Sequence, residues 1–162
     1  MKQIKIYTDG SGCSSDGPGG WASIIIYPND KVIELAGGYI SATNNQMELM
    51  GILEGLWYIR EHENIHQVAV EIISDSEYCV NGFNEWLRKW KVNNWKSKTG
   101  PVRNKPLWVA IDEATKDMNI KFSWCRGHNG TEHNERADKL AGEQRSILKK
   151  QQELTNKDNE VS

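Results

Sequence analysis

Val68-Ala69-Val70-Glu71-Ile72-Ile73-Ser74, followed at once by Asp75, is the stretch on which the fold turns. An uninterrupted, β-branched run of this length predicts a strand covered on both faces, as strands of parallel sheets are. A carboxylate directly after it falls at the carboxyl edge of the sheet, where open α/β sheets build their sites. Upstream, Thr43 or Asn44 can cap a helix whose apolar positions Met47, Met50, Leu53, Leu56 and Trp57 recur at helical spacing. Before that lie three strand-like runs, Ile4–Thr8, Trp21–Tyr27 and Lys31–Ile40. The last two are joined by the turn-forming Pro28-Asn29-Asp30. Downstream, 76–92 leans helical and aromatic, Pro101 to Met118 reads as another helix and Ile120–Trp124 as a short strand. A glycine-bearing loop, Gly127-His128-Asn129-Gly130, then leads into a helix over about 134–148. Three strands, then helix, strand, helices, strand and helix, define an α/β domain with a mixed sheet.

Residues 1–150 form one domain in this reading, and 151–162 a polar tail without apolar periodicity, expected to be disordered. Neither a signal peptide nor a run of membrane-spanning length is present, so a cytoplasmic location is expected. Cys13, Cys79 and Cys125 are odd in number and widely spaced, which fits reduced thiols and excludes a zinc framework. A net charge of −2 excludes a protein that grips polyanions over its whole surface, but the charge is unevenly spread. Residues 1–85 carry four basic and twelve acidic side chains, whereas 86–111 carry seven basic ones and no acid. A local basic stripe can dock a polyanion on an acidic protein.

Four acids sit at the ends of expected elements. Asp9 and Asp75 follow strands, while Glu48 and Asp138 lie in the first turns of helices. Each also has an ordinary reading: a turn former before glycine for Asp9, a helix cap for Asp75, solvated helix faces for Glu48 and Asp138. If they converge, their mutual repulsion calls for a cation, and hard oxygen donors suit Mg²⁺ or Mn²⁺. Among the basic residues, Lys89, Lys91, Lys96 and Lys98 have no acidic neighbour within their segment. Trp86 and Trp90, interleaved with them at i, i+4, can pack a helix to the body or offer a contact surface.

Tyr7-Thr8-Asp9-Gly10-Ser11, Thr43-Asn44-Asn45-Gln46-Met47-Glu48-Leu49, Ser74-Asp75-Ser76-Glu77-Tyr78 and Gly127-His128-Asn129-Gly130 with Asn134-Glu135-Arg136-Ala137-Asp138 together resemble type 1 ribonuclease H, over about residues 3 to 148. The resemblance implies a ribonuclease H-like fold, a five-stranded mixed sheet flanked by helices. It implies an endonuclease that hydrolyses the RNA strand of RNA–DNA hybrids, leaving 3′-hydroxyl and 5′-phosphate ends. Two Mg²⁺ ions, with Mn²⁺ a possible substitute, would be held by Asp9, Glu48, Asp75 and Asp138, and His128 would assist proton transfer or product release.

Gly10, Ser11, Asn44 and Asn45 are the implied sensors of the RNA 2′-hydroxyls, and Thr43 a contact to a DNA phosphate. The 86–111 segment resembles the basic protrusion of some family members, which makes Trp86, Lys89, Trp90, Lys91 and Lys96 substrate contacts. It also implies a monomer that needs no obligate protein partner. Two residues depart from the family pattern: Glu77 stands where glutamine is frequent, and Gln46 where arginine is. The rival readings are a catalytically silent hybrid-binding module and an integrase- or transposase-like domain.

Overall fold

The structure, a computed structural model, describes residues 1–13, 17–127 and 131–161. Five strands form the main sheet: β1 (Lys2–Ser11), β2 (Gly19–Ile26), β3 (Val32–Tyr39), β4 (Val68–Ser74) and β7 (Asn119–Trp124), in the order β3-β2-β1-β4-β7. The β1–β2 and β2–β3 pairs are antiparallel, whereas β1–β4 and β4–β7 are parallel. This is the expected mixed sheet. The parallel pairs bring the carboxyl ends of β1, β4 and β7 to one edge.

Helix α1 (Asn44–His62) covers one face. Its Leu49, Ile52, Leu53 and Leu56 pack with Ile4, Ile6, Val70 and Ile72 of the sheet and with Trp108 in one large core. Helix α5 (Glu132–Val161) crosses β1, β2 and β3 on the other face, where Ala137 and Ala141 meet Ala22 and Ile24. Because α5 lies over β1–β3, β4 is fully buried on only one face. Val68, Val70, Ile72 and Ser74 are buried, while Ala69, Glu71 and Ile73 are partly open. Glu71 accepts a hydrogen bond from Ser123 Oγ of the neighbouring edge strand, at 2.7 Å.

Residues 76–92 do not form one regular helix. Helix α2 (Glu77–Asn81) passes through a wide π-type turn, Gly82–Trp86, into α3 (Leu87–Val92). A small hairpin of β5 (Lys96–Ser97) and β6 (Gly100–Pro101) follows. Helix α4 (Lys105–Ala114) therefore begins later than Pro101, after Asn104 in the left-handed conformation (φ 59°). The polar tail also departs from expectation, since α5 continues through Val161. A helix already nucleated extends cheaply through glutamine, glutamate, leucine and lysine. Gln152 Nε2 further ties it to the body by donating to the Ile40 carbonyl at 3.3 Å. Among the described residues, no helix is long and apolar enough to cross a membrane.

Candidate active site

Asp9 lies near the end of β1, paired in register with Ala22. Glu48 lies in the first turns of α1, and Asp75 directly follows β4. The helix carrying Glu48 starts where it does because Thr43 caps it: Gln46 N–H donates to Thr43 Oγ1 at 3.2 Å, and Thr43 N–H to Gln46 Oε1 at 2.9 Å. Gln46, one of the two departures from the family pattern, thus completes a capping box. Gly10 lets this helix approach, since a side chain there would collide with the backbone of Met47 and Glu48.

One oxygen each of Asp9, Glu48 and Asp75 lie within 4.8 Å of one another. Asp9 and Glu48 are 3% and 4% exposed, and among the described residues Asp9 Oδ2 and Glu48 Oε2 have no hydrogen-bond partner. Buried, unpartnered carboxylate oxygens facing one another are strongly unfavourable unless protons or a cation join them. Burial pushes the Asp9 carboxyl up to about 7, and the neighbouring Asp75 charge and the Asp138 carboxyl reinforce this. Burial likewise raises Glu48 well above the usual carboxylate range, with Asp9 and Asp75 adding to it. The donors are all hard oxygens, so the residues present fit a divalent cation.

Asp138 lies on the exposed side of α5 and adjoins Asp9, joining the cluster at its rim rather than in the mutually close triad. His128 lies outside the described residues.

Beside the acids, Gly12, Cys13, Thr43, Asn44, Asn45, Arg103 and Asn104 line a cavity of about 550 Å³. Thr43, Asn44 and Asn45 are exposed at its rim, and Gly10 and Ser11 lead into it along β1. Asn104 does not stand out in the sequence, and Arg103 is only one of seven cations there. Asn104 takes the left-handed conformation just before a proline-bearing helix, a local mark of a special backbone.

The basic segment is divided in its roles. Trp108 is fully buried and donates to Tyr78 Oη at 3.0 Å. Trp90 is half-buried and packs edge-on against Trp108, with ring centroids 5.4 Å apart, and also contacts Trp86 and Trp95. Trp86 is 37% exposed. Lys89 and Lys96 are exposed, but Lys91 pairs with Asp112 of α4 at 3.1 Å, an acid just beyond the segment in sequence.

The family model described as RNase H matches residues 1–146. The chain belongs to the ribonuclease H family. Within it, the chain is 43% identical over 144 residues to the ribonuclease H of Brucella anthropi, covering 88% of this chain and 90% of that one. It is 40% identical to the ribonuclease HI of Pasteurella multocida, covering 87% and 88%. Among solved structures, LC9-RNase H1, described as a type 1 RNase H with the type 2 active-site motif, superposes with a TM-score of 0.80 at 27% identity, covering 91% of this chain and 74% of that one. LC11-RNase H1 in complex with RNA/DNA hybrid superposes with a TM-score of 0.67 at 23% identity, covering 89% and 97%, which speaks for the fold alone. This ribonuclease H family chain therefore carries its acids on the family's fold.

Proposed function

We propose that residues 1–150 form a free-standing catalytic domain in which Asp9, Glu48, Asp75 and Asp138 are the acids that serve hydrolysis of the RNA strand of an RNA–DNA hybrid. The reaction is an internal phosphodiester hydrolysis that leaves 3′-hydroxyl and 5′-phosphate ends. The observation that carries this reading is the close triad, two of whose acids are buried with one oxygen each left unpartnered among the described residues. Two Mg²⁺ ions, or Mn²⁺ in their place, would be held there, supplying positive charge for the scissile phosphate and a water acidic enough to react near neutral pH.

The chain's own residues do the rest. Burial raises the Asp9 and Glu48 carboxyls, so these two hold protons more readily than exposed acids and repel an approaching phosphate less than ionised carboxylates would. Gly10, Ser11, Asn44 and Asn45 present backbone and amide groups to the wide minor groove, where 2′-hydroxyls distinguish RNA from DNA. Thr43, with Arg103 and Asn104 across the cavity, holds a phosphate of the DNA strand. Lys89, Lys96 and Trp86 extend this contact along the hybrid, with Lys91 and Trp90 behind them. His128 moves a proton at the departing group or aids product release. Cytoplasmic work fits the three unpaired cysteines.

The test uses a labelled RNA–DNA hybrid, duplex DNA and duplex RNA, each with Mg²⁺ and with EDTA. Metal-dependent cleavage of the RNA strand in the hybrid alone is expected. Binding without cleavage would favour a silent hybrid-binding module, and cutting or joining of duplex DNA a strand-transfer domain; either overturns the reading.

A further inference from the structure

Asp75 is the least buried of the three clustered acids, and the β4 ladder ends one residue before it. What holds it in place comes from the next strand. Trp124, the last residue of β7, pairs in register with Ser74, and its indole Nε1 donates to the main-chain carbonyl of Asp75 at 3.1 Å. The following N–H, of Cys125, donates to the Ser74 carbonyl at 2.9 Å. Two residues on, Gly127 lies against the Asp75 carboxylate: a β-carbon on it would stand 2.9 Å from Asp75 Oδ2. The chain from 124 to 127 thus holds the backbone around one acid and lies close beside its carboxylate.

Trp124 is 48% exposed, so apolar burial alone is a poor reason for a tryptophan at this position. Its directed N–H accounts for it better. At 127, even a methyl group would press on one oxygen of the carboxylate that clusters with Asp9 and Glu48. Groups one step removed from a cation's ligands set the ligands' direction and thereby the affinity.

We propose that Trp124 and Gly127 are positioning residues that fix the Asp75 carboxylate toward Asp9 and Glu48, making the site ready for a divalent cation before one arrives. The proposal rests on the reading of these acids as the metal site. Trp124 acts on Asp75 through a single hydrogen bond, and Gly127 by leaving the carboxylate its space.

The experiment is a Mn²⁺ titration of the full chain by calorimetry, without substrate, on the parent, Trp124→Phe, Gly127→Ala, Asp9→Asn, Asp75→Asn and Trp124→Phe/Asp75→Asn proteins, with thermal unfolding run alongside. Trp124→Phe keeps an aromatic ring and removes the donor, and is expected to weaken Mn²⁺ binding about tenfold. Its unfolding temperature should stay near the parent's, and in cleavage assays kcat should fall while KM for the hybrid stays within about twofold. Gly127→Ala should weaken Mn²⁺ binding at least as much. On the Asp75→Asn background, Trp124→Phe should add no further loss. Parental Mn²⁺ affinity in both single variants overturns the proposal, as does an undiminished effect of Trp124→Phe without Asp75. A rise in KM with unchanged Mn²⁺ affinity would make Trp124 a substrate contact instead. Failure of the parent to bind Mn²⁺ in a way that Asp9→Asn abolishes would overturn the metal-site reading itself, a result distinct from the others.

Discussion

The carboxylate edge and the basic segment 86–111 both concentrate like charges, yet they manage them in opposite ways. At the edge, Asp9 and Glu48 are buried at the first turns of α1 with oxygens left unpartnered among the described residues, so burial opposes their ionisation and raises both carboxyls. In the segment, Lys89 and Lys96 stand in solvent, where water and salt screen them and nothing needs to be neutralised. Lys91, by contrast, has an acid at hand in Asp112. Chemistry requires placed charge in a dry site, and association requires mobile charge in a wet one. Removing a group from the first region should therefore harm turnover, and from the second, binding.

The largest expected effect is at the edge. Glu48→Gln should lower kcat by at least about two orders of magnitude, since on the proposed reading it removes a carboxylate ligand from the triad, while KM changes only a few-fold. Steady-state cleavage of a labelled hybrid measures both. A variant with parental kcat would break the contrast at its stronger side. Neutralising Lys89, Lys91 and Lys96 together should do the reverse, raising KM roughly tenfold at moderate salt with kcat little changed. Every phosphate that a lysine neutralises adds about 0.9 to the steepness of the salt dependence. Because Lys91 is engaged with Asp112, the triple variant should flatten that dependence by about two units rather than about three. An unchanged slope would show that the segment is a packing element only.

The same contrast explains what can be read from the sequence. The β-branched run Val68–Ser74 and the capped helix after Thr43 are local patterns, and the structure forms both with nearly the bounds that the patterns imply. Asp9, Glu48 and Asp75 are legible as acids at element ends, but only the order β3-β2-β1-β4-β7 brings them together, and no local spacing encodes strand order. The pairing of Lys91 with Asp112 is hidden from the sequence because it spans two helices. Trp124 and Gly127 are hidden for a similar reason: a tryptophan ending a strand looks like core until its N–H is found on the neighbouring strand's aspartate. The break of 76–92 into two short helices gives no signal in a stretch that leans helical and aromatic throughout. The continued helix beyond Gln151 shows the converse, because a polar composition says nothing about a helix that is already running.

The central claim is that the buried acids are kept, at a cost to the fold, for a cation. Asp9 faces Glu48, Asp75, Asp138 and the Cys125 thiol, and its carboxyl sits at about 7 against an ordinary value of 3.8. Between those values the folded chain holds a proton that the unfolded chain has lost, so stability falls as pH rises through that window, and below about pH 4 the penalty is absent. Thermal unfolding of metal-free parent and Asp9→Asn proteins from pH 4 to pH 8 isolates this effect from the rest of the chain's titration. The Asn variant should gain on the parent by several degrees as pH rises from about 4 to about 7, and saturating Mg²⁺ should close the gap by stabilising the parent alone. A gap that is absent, or that shrinks with rising pH, or a parent indifferent to Mg²⁺, would contradict the account.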